Sequence, residues 1–129
     1  MQFQGFQLTI DESALPWRPT RHSGIEWFPL HSAENRDSAN GQRDSTVLIR
    51  MAPGCGYPRH RHLDVEEVLI LRGGYRDERG EHVAGTYLRY EQGSEHTPIA
   101  LGRRDEQIGP KNPACVLFAS ARGGVLNLD

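Results

Sequence analysis

Cysteine is scarce in this chain: Cys55 and Cys115 are the only two in 129 residues. Two are too few to staple a small domain, and they suit a reducing compartment. Long hydrophobic runs are missing as well, since nothing approaches the roughly 18 apolar residues that cross a bilayer. The first ten residues have Gln where a secretory leader would carry Lys or Arg, and they lack its unbroken apolar stretch. A cytoplasmic protein with no membrane association is therefore expected. A basic surplus is also absent: 15 Lys and Arg stand against 17 Asp and Glu, for a net charge of -2. That balance excludes the usual nucleic-acid binder, whose affinity rests on a basic face reading phosphates. Arg59 with Arg61 and Arg103 with Arg104 are clusters too small to change this.

Uninterrupted stretches are short too. Fourteen Gly and eight Pro divide the chain so often that the longest run free of both is Arg59 to Arg72. Helices of ordinary length, about 11–12 residues with an apolar stripe, are nearly excluded. Alternating runs are present instead. Phe6, Leu8 and Ile10 alternate with Gln7 and Thr9, the pattern of a half-buried strand. Val47 to Met51, Val68 to Leu71, Thr86 to Tyr90 and Val116 to Ala119 are further β-like runs. Asp77-Glu78-Arg79-Gly80 reads as a hairpin turn, and the Gly pairs at 73–74 and 123–124 as turns or bulges. Residues 31–45 lack aromatic and branched apolar side chains and read as a surface loop. With 36% hydrophobic residues, the chain can fill one core, so a single domain over 1–129 is expected.

His60 and His62 are the first residues that carry chemistry. Positions i and i+2 share a face only on a strand, and two neutral imidazoles on one face can bind one metal. The pair alone is common. Glu66, four residues on and of the same parity, adds a carboxylate, with Glu67 as its competitor. Parity favours Glu66, because Glu67 points the other way. Gly54 and Gly73 flank the group in the spacing Gly54-x(5)-His60-x-His62-x(3)-Glu66-x(6)-Gly73. A second cluster follows: Gly85, Gly93 and His96, with Glu91 and Ala100 at the positions of a G-x(5)-P-x-G-x(2)-H-x(3)-N pattern where Pro and Asn would stand.

Together these resemble the two motifs of the cupin superfamily, motif 1 at 54–73 and motif 2 at 85–100. Glu66 to Gly73, Asp77 to Gly80, Gly85 to Arg89 and Gly93 to Pro98 resemble the ChrR-like cupins in particular. The resemblance implies an all-β double-stranded β-helix, a jelly-roll-like barrel of two facing antiparallel sheets. It implies that His60, His62, Glu66 and His96 ligate one divalent metal (iron, zinc, manganese or nickel), and it makes a homodimer the default. Phe3, Phe6, Leu8 and Ile10 would then find burial against a second subunit.

Two function classes follow. One is a metal-dependent enzyme of dioxygenase type acting on a small organic molecule, because three His and one Glu on an octahedral ion leave two positions open. One carboxylate on a divalent ion leaves a net +1, which favours an anionic ligand. The other is a zinc-binding sensor or ligand-binding module, because the same four ligands close a tetrahedral zinc. ChrR-type anti-sigma factors carry an N-terminal helical domain with a His-x(3)-Cys-x(2)-Cys motif, and no such spacing occurs here, so a complete anti-sigma role is not expected. Among other residues, His22, His31 and His82 lack partners at ligand spacing and read as surface residues. Cys55 reads as a small packed side chain and Cys115 as core. Arg50, Tyr57, Tyr87 and Arg89 are candidate polar groups of a pocket, and Val68 and Ile70 should make its interior apolar.

Overall fold

The computed structural model describes residues 2–6, 9–34 and 43–128. Strands account for nearly all regular structure. In chain order they are β1 (Gln2–Phe3), β2 (Arg18–Pro19), β3 (Ile25–Glu34), β4 (Arg43–Met51), β5 (His60–His62), β6 (Glu66–Arg72) and β7 (Gly74–Asp77). They continue with β8 (Gly80–Val83), β9 (Tyr87–Tyr90), β10 (Glu95–His96), β11 (Ile99–Ala100), β12 (Cys115–Ala121) and β13 (Val125–Asn127). One short 3-10 turn, Glu12–Ala14, interrupts them. All strand pairings are antiparallel.

One wall is a seven-stranded sheet in the order β1-β9-β6-β12-β4-β3-β2. The opposite wall is divided into two three-stranded sheets, β10-β5-β13 and β11-β7-β8. The expected all-β architecture of facing antiparallel sheets is present, with one wall divided in two. The cause of the division lies in the connections. Turns with positive-φ glycines at 54, 73, 93 and 102 break this wall into pieces of two to four residues.

Alternation places the core. On β6, Val68 and Ile70 are buried while Glu67 is exposed. β12 lies between β4 and β6 and is covered on both faces, which explains its nearly continuous apolar run Cys115, Val116, Leu117. Its inward row continues with Ala119 and Ala121. Ile25, Met51, Leu88 and Tyr90 join Val68 and Ile70 in one buried cluster. The free thiols of Cys55 and Cys115 are both buried in it or beside it, as expected, and burial pushes the Cys115 thiol up to about 12.

Two readings change at this level. The 31–45 stretch is not one loop: His31 extends β3 and Ser45 belongs to β4, with Ser32 opposite Ser45 across the hairpin. Residues 35–42 lie outside those described. The alternating run at 6–10 is not a strand at either end, since Phe6 and Ile10 stand outside β1 and Leu8 is not among the described residues. Phe3 and Phe6 are 54% and 51% exposed. The turn at 77–80 is the β7–β8 hairpin, as the sequence predicts.

The four motif glycines have φ between +66 and +86, a region that side chains rarely adopt. Gly73 is tightly constrained, and so is Gly85, where a Cβ would meet the Phe6 carbonyl oxygen. A Cβ at Gly73 would meet the Ala114 carbonyl oxygen at 2.5 Å. Gly73→Ala should lower stability by at least about 1–2 kcal/mol, the cost of the left-handed conformation alone. Gly109→Ala, at a position with negative φ and open space, should stay within about 0.5 kcal/mol. Urea unfolding midpoints of the two variants check this.

Candidate metal centre

Three of the four proposed ligands come from the divided wall. β5 is the middle strand of its sheet, with His60 opposite His96 of β10 and Asn127 of β13. His60 and His62 alternate inward around the exposed Arg61. Arg61 instead bonds Glu95 on the outer face at 2.9 Å. The fourth, Glu66, opens β6 on the facing sheet, opposite Tyr90 and Ala121. The sequence parity of 60, 62 and 66 therefore picks out the carboxylate that joins the histidine cluster, but not because they share one strand. A turn at 63–65 carries the chain from one wall to the other. Glu67 points outward, where it accepts the Tyr87 hydroxyl at 2.8 Å.

The four side chains converge. Their donor atoms all lie within 4.8 Å of one another, and His62 Nε2 is 3.5 Å from Glu66 Oε1. His60, His62 and His96 are each no more than 4% exposed. Each imidazole is held from behind through Nδ1. The Nδ1–H of His60 donates to the Pro58 carbonyl at 3.0 Å. That of His62 donates to Ser94 Oγ at 2.9 Å and to the Ser94 carbonyl at 3.0 Å. Ser94 is free to accept because its own hydroxyl donates to the Glu91 carbonyl at 2.6 Å. That of His96 donates to Asp77 Oδ2 at 2.9 Å. A ring that donates through Nδ1 keeps its lone pair on Nε2. The Nε2 atoms of His62 and His96 are buried and have no hydrogen-bond partner. Orphaned acceptors of this kind are costly unless something fills the space between them. Three neutral imidazoles and one carboxylate fit a divalent metal ion, for which bonds of about 2.0–2.2 Å are ordinary. The cluster could hold such an ion.

Burial depresses the His60 imidazole to about 4, helped by the neighbouring His96 and His62 rings and opposed by the Pro58 hydrogen bond and Glu66. Neutral His60 is the form that can ligate. Asp77 shows the reverse balance. Burial would raise its carboxyl, but donation from His96, Tyr90, His82 and the Arg79 amide outweighs this and holds it well below the usual carboxylate range. Burial, with Asp77 beside them, pushes the Tyr75 and Tyr90 hydroxyls up, so both stay protonated.

A cavity of about 300 Å³ adjoins the cluster. His60, Glu66 and His96 form its polar end. The remainder is mostly apolar, with Trp27, Val47, Ile49, Val68, Leu117 and Ala119 among its walls, and among the described residues no Lys or Arg lines it. Of the four candidate pocket groups only Tyr57 is there, edge-on to His60 at 5.2 Å. Arg50 faces Glu12 and Glu26, Tyr87 serves Glu67, and Arg89 pairs with Glu91, all on the outside. His82 is a correction. It is 1% exposed, and its Nε2–H donates to Asp77 at 2.8 Å. Asp77 itself reads as a turn residue in the sequence, and its buried carboxylate was not foreseen. His31 is exposed and His22 half-buried against Tyr57.

The ChrR cupin-like domain family matches residues 6–111. The chain belongs to that family. This cupin is similar in fold to the Rhodobacter sphaeroides complex of SigE with the anti-sigma ChrR, at TM-score 0.65 and 24% identity over 87% of its length. It spans 51% of the chain matched there. A Ralstonia eutropha protein of unknown function with a cupin-like fold matches at TM-score 0.69 and 22% identity, over 98% of this cupin and 73% of the other chain. An acetylacetone dioxygenase from Acinetobacter johnsonii matches at TM-score 0.68 and 15% identity, over 98% and 80%. Comparison with curated proteins gives no match.

The His60 shift has a consequence for the metal-free protein. The unfolded chain protonates this imidazole near 6.5 and the folded one only near 4. Between those values the unfolded state binds more protons, so stability falls as pH falls. The loss due to His60 should be on the order of 3 kcal/mol once pH is below about 4. Urea midpoints measured with chelator present should drop from pH 7 to pH 5, and His60→Gln should flatten that slope.

Proposed function

We propose that this cupin is a metal-dependent enzyme of dioxygenase type, acting on a small, largely apolar organic molecule. The observation that carries the reading is that three of the four candidate ligands end in the cavity. A purely structural zinc needs no such space, since its four ligands close around it. A bound iron, manganese or nickel ion would act there as a Lewis acid with positions open to substrate and dioxygen.

The residues of the chain supply the rest. The apolar walls exclude water and hold the hydrocarbon part of a substrate against the polar end. Tyr57, its ring edge-on to His60, adds a side chain with a hydroxyl to the cavity lining. The charge balance also includes Asp77. A divalent ion with Glu66 alone leaves +1, and ionised Asp77, hydrogen-bonded to ligand His96, brings the sum to zero. Selection then rests on cavity shape and apolarity rather than on a surplus of positive charge.

A second reading has its own support in family membership and in the fold likeness to the complex containing the anti-sigma ChrR. In that reading zinc occupies the four ligands and the cavity takes a signal molecule, without chemistry.

Two measurements separate these readings. Metal analysis of protein from unsupplemented cells should find iron, manganese or nickel, and the Fe(II)-reconstituted protein should bind nitric oxide at an open position. Full zinc occupancy with no nitric oxide adduct would favour the sensor. The ligand set has its own check: Ala at His60, His62, Glu66 or His96 should each lower bound metal, whereas Glu67→Gln should retain it. Elemental analysis of the purified variants decides, and full occupancy in His96→Ala would refute the assignment.

A further inference from the structure

Asp77 sits at the end of β7 with a side chain that is 0% exposed. Its carboxylate accepts four hydrogen bonds. Oδ2 receives the Tyr90 hydroxyl at 2.6 Å and His96 Nδ1–H at 2.9 Å. Oδ1 receives His82 Nε2–H at 2.8 Å and the Arg79 amide at 2.9 Å. Tyr90 is committed to Asp77, so the Tyr75 hydroxyl donates to Tyr90 at 2.5 Å and completes a chain that leads to the cavity wall. Every partner is a donor, which only an acceptor-only carboxylate satisfies.

This differs from the support of the other two imidazoles. His60 and His62 donate to neutral carbonyls and a hydroxyl. His96 alone donates to a charged group, and charge-assisted bonds are roughly twice as strong as neutral ones. His96 also has the least local support, because β10 is only two residues long. A carboxylate behind an imidazole fixes its tautomer and raises its basicity toward a metal. We propose that Asp77 is a positioning residue of the metal centre, holding the His96 proton on Nδ1 so that the Nε2 lone pair faces the other three ligands. The proposal rests on the metal-binding reading given above. His82, on the far oxygen, braces Asp77 without touching the ligand cluster.

The test compares wild type, Asp77→Asn and His82→Gln. The probe is zinc alone, titrated in competition with a chromophoric chelator, and folding of each protein is checked by circular dichroism. Asp77→Asn should bind zinc about 10- to 100-fold more weakly, since an amide cannot accept from all four donors. His82→Gln should stay within about threefold of wild type, although both variants lower the urea midpoint. Long-range 15N–1H NMR of the metal-free wild type should place the His96 proton on Nδ1, and that measurement needs no variant to fold. Equal zinc affinity in Asp77→Asn and wild type, equal weakening in both variants, or a His96 proton on Nε2 would each overturn the positioning role while leaving the metal reading in place. A wild type that binds no zinc would overturn both.

Discussion

One buried carboxylate joins the parts of this barrel. Asp77 belongs to β7, yet Tyr90 reaches it from the seven-stranded sheet and His96 from the β10-β5-β13 sheet. All three sheets therefore meet at a single pair of oxygen atoms. Burying that charge without partners would cost several kcal/mol. Four donors offset the cost, and the two from outside the β7–β8 hairpin, Tyr90 and His96, reach it only if the three sheets hold their relative positions. The interaction acts less as a source of net stability than as a geometric constraint. It is satisfied in one arrangement, which fixes the His96 ring beside those of its sheet partner His60 and of His62, with ring centroids 4.5 and 4.9 Å away.

The cavity depends on the same alignment. Glu66 is the single carboxylate at the end of an inward row that is otherwise apolar, with Val68 and Ile70 behind it. Its side chain is 13% exposed, and a carboxylate so placed needs a cationic or donating partner. Rings presented by the opposite wall face it with lone pairs, as their Nδ1 bonds dictate, so they offer it no donor. Three acceptor nitrogens and an anion around one point form an arrangement that favours a cation and little else. The Gly turns that fragment the second wall contribute here. They let the β10-β5-β13 and β11-β7-β8 sheets approach as separate short pieces instead of as one stiff sheet.

Much of this was legible in the sequence, and the boundary of legibility has a physical cause. The pair His60 and His62, and the choice of Glu66 over Glu67, could be read from strand parity, whereas the full set with His96 was implied by the resemblance to the two cupin motifs. The buried runs of β4, β6, β9 and β12 could be read from alternation. Asp77 and His82 could not. Asp77-Glu78-Arg79-Gly80 is a correct hairpin signal, and nothing local distinguishes a turn Asp that meets water from one that meets four donors from three sheets. His82 alternates with exposed Glu81 and Val83, so its burial depends on what lies across the β7–β8 hairpin. Phe6 and Ile10, the ends of the 6–10 run, stand outside the strands because alternation reports a capacity to pair and not the pairing itself. The division of the second wall was not legible, because glycine positions show where a sheet breaks but not how its pieces reassemble.

The small side chains of Ala119 and Ala121 set the floor of the cavity on β12, a strand that supplies none of the four candidate ligands. Coordination and capacity are thus encoded on separate strands. Lengthening either alanine side chain would shrink the chamber while leaving the histidines, their backing carbonyls and Asp77 unaltered. A protein built this way can change the size of the molecule it admits without altering the ion it holds. Related barrels sharing one coordination set could in this way diverge in what they accommodate by single steps on a strand that supplies no ligand.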